Sequence, residues 1–153
     1  MTALRIGLAV VAGYASMFAA SMLGVGIAWT VLGSERAFHE GTVVASSPWS
    51  ALMCAFALAS AAGGGFVAKR VAGQRSRGAA LALALLVLVL GHGIAFAQLG
   101  SEPSPLPEGK TVADLTFFEA GEVASAPVWY NFTIPWIGAA GVLLGAGCLR
   151  CER

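Results

Sequence analysis

Residues 78–100, GAALALALLVLVLGHGIAFAQLG, contain no charged side chain. An uncharged run of 23 residues can cross a bilayer as a helix, which takes roughly 20 apolar residues. Either other apolar segments join this run in lipid, or a large soluble body must cover it. The chain has 153 residues, 58% hydrophobic and 11% charged. Soluble domains carry about 25% charged residues, and a body of this length cannot bury so much apolar surface. The apolar segments are continuous and rich in Ala, Leu and Gly, whereas a membrane β-barrel needs alternating strands of about ten residues. The expected fold class is all-α integral membrane, with residues 1–153 forming a single membrane domain.

Four spans are expected, over residues 6–32, 48–68, 78–99 and 134–149, with 100–133 as an outer loop. The first is longer than a bilayer needs and should tilt or protrude. Pro48 suits the first turn of a helix, and Pro135 is read in the same way at the head of the fourth span. Arg5, Lys69, Arg70, Arg75, Arg77, Arg150, Glu152 and Arg153 fall on one side, seven positive against one negative. Glu35, Arg36, Glu40, Glu102, Glu108, Lys110, Asp114, Glu119 and Glu122 fall on the other, two positive against seven negative. The positive-inside rule then puts both termini and the basic loop in the cytoplasm. Trp29, Trp49, Trp129, Tyr130 and Trp136 all fall at the opposite, outer ends, as in an aromatic belt at one interface. The reading is a four-transmembrane-helix bundle made of two antiparallel hairpins. The first 20 residues also have the basic start and apolar core of a signal peptide. The apolar run continues past Ala20 without a clean Ala-x-Ala site, so the first span is expected to be retained.

In lipid, helices associate by close contact between small residues. Ala12, Ser16, Ala20, Gly24 and Ala28 recur at every fourth position of the first span, and Ala51, Ala55, Ala59 and Gly63 of the second. These two stripes are expected to face each other. Gly63, Gly64 and Gly65 should soften the end of the second span. Gly141 and Gly145 form a GxxxG pair, expected to pack within the bundle, with a homodimer contact as the alternative.

The outer loop opens with three prolines, at 103, 105 and 107, and should be extended there. Thr111 and Asp114 then have the spacing of a helix cap. Val112, Leu115, Phe118 and Val123 recur near helical spacing. They predict one short amphipathic helix over residues 111–123, lying on the outer membrane surface. Leu115, Phe117 and Phe118 are its candidate surface for a partner or a lid.

An ionisable group inside a membrane is costly and so marks function. The four spans hold no Asp, Glu, Lys or Arg, which removes the usual groups of ion-coupled transport and voltage sensing. His92 remains, flanked by Gly91 and Gly93. Cys54 and Trp129 lie at comparable or shallower depth, so His92, Cys54 and Trp129 are the candidate ligand-binding residues. The simplest role for His92 is a neutral ring bonded to a carbonyl or a serine. A haem ligand is an alternative, with His39 folding down as the second ligand, and a metal or quinone site is another. Cys148 and Cys151 form a lone CxxC. Structural zinc needs four ligands, and a cysteine closing a helix gains nothing from the dipole that lowers thiol pKa at a helix start. Both are read as bystanders, with juxtamembrane acylation as the alternative. No phosphate-binding loop, HExxH or nucleophile elbow is present. The basic segment 69–77 suits topology and anionic headgroups, and nucleic-acid binding is not implied.

In its charge asymmetry and one-sided Trp belt the chain resembles small bacterial inner-membrane proteins as a class. The expectation is a non-catalytic, multi-pass protein of the inner (plasma) membrane. It would be an accessory or scaffold subunit packing against lipid and against other membrane subunits or a second copy. No catalytic residue, metal or cofactor is expected. One alternative is a small-molecule binding or transport protein with an outward-facing pocket near His92. Another is a haem or quinone redox subunit.

Overall fold

The computed structural model describes residues 2–101 and 104–148. Their regular structure is helical, with α1 at Thr2–Leu32, α2 at Ser34–Ala37, α3 at Ser47–Ala72, α4 at Ser76–Ala97, α5 at Phe117–Val123 and α6 at Val128–Gly145. Short 3₁₀ turns cover Gly73–Arg75 and Val112–Asp114. Two helical stretches are long and apolar enough to cross a membrane, Ala3–Leu32 and Ser47–Ala97. The second is not one rod. Gly73 takes φ 61°, a left-handed value that suits a residue without a Cβ, and the chain turns back there. Arg150, Cys151, Glu152 and Arg153 lie outside the described residues, as does Glu102.

Local chemistry explains both ends of α3. The Ser46 hydroxyl accepts the Trp49 N–H at 3.3 Å and Pro48 sits in the first turn of α3. Lys69 and Arg70 fall in its last turn, where positive charge complements the helix dipole. The Arg70 guanidinium lies over the Phe66 ring, 4.8 Å from its centroid. The α6 start differs from expectation. It begins at Val128, just after Pro127, and Pro135 lies inside it. Pro135 has no N–H for the Asn131 carbonyl, yet its ring fits against Gly91 of α4. A Cβ at Gly91 would stand 2.6 Å from Pro135 Cγ. Pro135 therefore interlocks two helices instead of opening one.

The four long helices pack side by side, and α3 touches all the others. It packs most broadly on α1 on one side and on α6 on the other, while α6 also packs broadly on α4. The arms α3 and α4 of the sequence-adjacent hairpin meet less extensively, because α6 is wedged against both. Glycines set these approaches. A Cβ at Gly64 would be 2.7 Å from the Gly13 carbonyl oxygen of α1. One at Gly65 would fall on the Val142 carbonyl of α6. Gly141 faces the Leu58 carbonyl at 2.7 Å by the same measure, and Gly145 faces that of Ala62. The GxxxG pair thus packs on α3 of the same chain.

The small-residue stripe expected on α3 is on the wrong face. Ala51, Ala55, Ala59 and Gly63 are exposed, and so is Ala20 of the α1 stripe. The helix buries Ser50, Ser60, Ala61, Gly64, Gly65, Ala68 and Ala72 instead. Residues 59–65 are all Ala, Ser or Gly, so small size could not distinguish the faces. The larger Leu58 and Phe66 point outward and mark the exposed side.

At one end, Ile6 and Ala9 of α1 pack with Ala72 and Ala79. Arg5, Lys69, Arg70, Arg75 and Arg77 gather there. At the other end Trp29 meets Trp49, ring centroids 6.1 Å apart, and the chain builds a cap. Ala37, Phe38, Leu115, Ala120 and Val123 form its small core, with Trp29, Val43, Trp49 and Val112 around it. Backbone bonds tie the two connecting segments together, with Ala45 N–H to Ser125 O at 2.9 Å and Ser125 N–H to Val43 O at 3.0 Å. The single helix expected over 111–123 is two elements. Leu115 and Thr116 are extended between the 3₁₀ turn and α5. Each element has its own capping box, Thr111 with Asp114 and Thr116 with Glu119.

Candidate functional site

His92 lies on α4 with Nδ1 2.9 Å from the Leu88 carbonyl oxygen. A carbonyl only accepts, so Nδ1–H is the donor in this bond. The imidazole meets Phe132 and Trp136 edge to face, at 6.2 and 5.6 Å between centroids. Of its flanking glycines, Gly91 makes room for Pro135 and Gly93 has open space beside it. Trp129 is half-exposed with its ring against Tyr130. Cys54 is half-buried on α3. His92, Cys54 and Trp129 share none of the three clefts described below.

Of the expected partner surface, Leu115 is 5% exposed and belongs to the cap core. Phe117 rests edge-on against Trp29. Phe118 is 80% exposed and is presented outward. His39 lines a cleft of about 570 Å³ with Glu35, Arg36, Glu40 and Thr111, apart from the aromatic neighbours of His92. Among the described residues no group of three or more His, Cys, Asp or Glu side chains could hold a metal ion.

A second cleft, about 200 Å³, lies among the long helices and is lined by Tyr14, Met17, Val87, Leu90 and Pro135. Its polar feature is a hydrogen bond from Ser21 to Ser60, 2.8 Å. The third cleft, about 500 Å³, opens at the acidic end where α4 finishes, α5 finishes and α6 begins. Ala95, Val123 and Phe132 give it an apolar floor. Gln98, Ser101, Ser104, Glu122, Ser125 and Asn131 give it polar walls. Gln98, Glu122 and Asn131 come from three separated segments, so no local spacing announced them.

Glu122 lines this cleft, while Asp114 and Glu119 lie outside its lining and are engaged within the cap. Asp114 accepts from the Thr111 hydroxyl at 2.6 Å and the Thr111 N–H at 3.0 Å. These bonds, with Lys110 nearby, hold its carboxyl below the usual range. Glu119 pairs with Lys110 and accepts the Thr116 N–H and hydroxyl. The Lys110 bond first, then those of Thr116, pull Glu119 down to about 2. The side chain of Glu122 makes no hydrogen bond or ion pair among the described residues.

The depressed Glu119 pKa gives the cap a pH dependence. An unfolded cap takes up a proton near the ordinary value of 4.5, the folded one only near 2. This contribution is complete above about 4.5 and is lost as pH falls through 2. Tryptophan emission from Trp29 and Trp49 should shift on that acid limb, and Lys110→Gln should move the shift to higher pH. A variant limb identical to the wild-type one would refute the assignment.

Compared with known protein families, curated proteins and solved structures, the chain matches none.

Proposed function

We propose that this chain is a four-span, non-catalytic protein of the bacterial inner membrane, an accessory or scaffold subunit whose folded outer cap meets its partners. The observation that carries the reading is the outward display of large apolar side chains. Leu4, Leu8, Phe18, Leu23, Ile27 and Val31 on α1 are all exposed. So are Leu81, Leu85, Val89 and Ile94 on α4 and Trp136 and Leu144 on α6. Soluble proteins rarely leave apolar patches above a few hundred Å² uncovered, while lipid covers such a belt. The basic end and the acidic cap then stand on opposite sides of that belt, with both termini cytoplasmic by the positive-inside rule.

Cysteine labelling in intact cells tests the topology. In a background with Cys54, Cys148 and Cys151 changed to Ser, Glu40→Cys should react with a membrane-impermeant maleimide. Arg75→Cys should react only after permeabilisation. The reverse pattern, or recovery of the chain in the soluble fraction, defeats the topology. Purification in gentle detergent tests the role. A stoichiometric membrane partner that Phe118→Asp releases supports the accessory reading. A Soret band in the visible spectrum replaces it with a haem subunit.

The cleft of about 500 Å³ at the acidic end favours a second reading, an outward-facing small-molecule site, since binding sites commonly span 300–1,000 Å³. It adjoins the surroundings of His92 through Phe132.

A further inference from the structure

We infer that the cleft where α4 ends and α6 begins binds a small organic cation with a primary ammonium group, an amine of the ethanolamine kind. This deepens the second reading above by naming its ligand class. Glu122 is the charged side chain of the described lining. Asp114 and Glu119, elsewhere in the cap, are committed to capping boxes and to Lys110, whereas the Glu122 side chain has no partner among the described residues. The last turn of α4 forms the adjoining wall and carries no basic residue. Its carbonyl end bears partial negative charge, although the Ala97 carbonyl there already accepts the Ser101 hydroxyl at 3.3 Å. Gln98 and Asn131 add amide groups from two segments, and Phe132 adds an aromatic ring to the lining. The wider field agrees, because the sequence places seven acids and two bases at this end of the chain. The first turn of α6 has no side-chain cap; the Tyr130 and Asn131 N–H groups bond the Pro127 carbonyl, so the N–H of Val128, which lines the cleft, is the donor left for an oxygen near the ammonium group. That combination selects ethanolamine over a simple alkylamine.

The same chemistry arrives as a free amine or as the headgroup of phosphatidylethanolamine. Calorimetry with ethanolamine and native mass spectrometry with phosphatidylethanolamine, both on the full chain in detergent, separate the sources. Saturable binding of ethanolamine identifies a soluble ligand, and retention of the phospholipid alone identifies a headgroup. Either result is expected to weaken at least about tenfold in Glu122→Gln, as for loss of a charge-assisted bond. Glu40→Gln, in a different cleft, should bind like wild type. Asn131→Ala gives a second, smaller loss should Glu122→Gln lower the unfolding midpoint. The proposal falls if neither probe binds, if Glu122→Gln binds as well as wild type, or if acetate and phosphatidylglycerol bind equally. Binding in detergent is read whatever the orientation in a membrane, so its failure and a failed topology are separate results.

Discussion

Gly65→Ala and Gly145→Ala each lower the unfolding midpoint in detergent sharply, while Gly63→Ala leaves it unchanged or slightly raised. The three substitutions add the same methyl group to an apolar helix. At Gly65 the methyl falls on the backbone carbonyl of Val142, and at Gly145 on that of Ala62. Backbone cannot rotate away like a side chain, so α3 and α6 must separate along their contact. Overpacking of this kind costs about 3 kcal/mol. At Gly63 nothing lies within 4 Å, and alanine gains up to about 1 kcal/mol of helix propensity. Equal midpoints for Gly63→Ala and Gly65→Ala would mean that α6 does not pack on α3 in this way.

The second large effect is local to the cap. Trp29 touches Phe38, Trp49 and Phe117, at 6.2, 6.1 and 6.1 Å between ring centroids. It links α1, α3 and both connecting segments. Trp29→Ala should destabilise the cap by about 3 kcal/mol, as for a large aromatic removed from a core. The readout is proteolysis of the segment between α4 and α6, which should become fast while the long helices stay protected. Trp136→Ala, at a residue 61% exposed, should leave the cap as resistant as wild type. Equal resistance in both variants would remove Trp29 from its place as hub.

Much of this arrangement was legible in the residues. Pro48 announces the start of α3, while the Ser46 cap and the turn at Gly73 came only with the structure. The separation of Arg5 and Arg77 from Trp29 and Trp49 follows from charge and aromatic placement alone. Pro135 misled because proline is at home in a first helical turn, and only contact with Gly91 reveals its interior position. The α3 face was hidden because its neighbours are uniformly small, so that outward Leu58 and Phe66 carried more information than any alanine. Thr116-x-x-Glu119 repeats the spacing of Thr111-x-x-Asp114, and that second cap is why α5 starts anew where a single helix was expected. The cleft of Gln98, Glu122 and Asn131 left no local trace, since tertiary packing alone brings the three together.

The wedged position of α6 has a consequence for biogenesis. Helices α1, α3 and α4 precede α6 in chain order, so they emerge from the ribosome first. Until α6 follows, α3 and α4 flank a seam in which the backbone at Gly65 and the small surface at Gly91 have no partner. The contacts of α3 and α4 are therefore complete only once α6 is in place. Whatever shields this seam during synthesis would govern the yield of the finished protein.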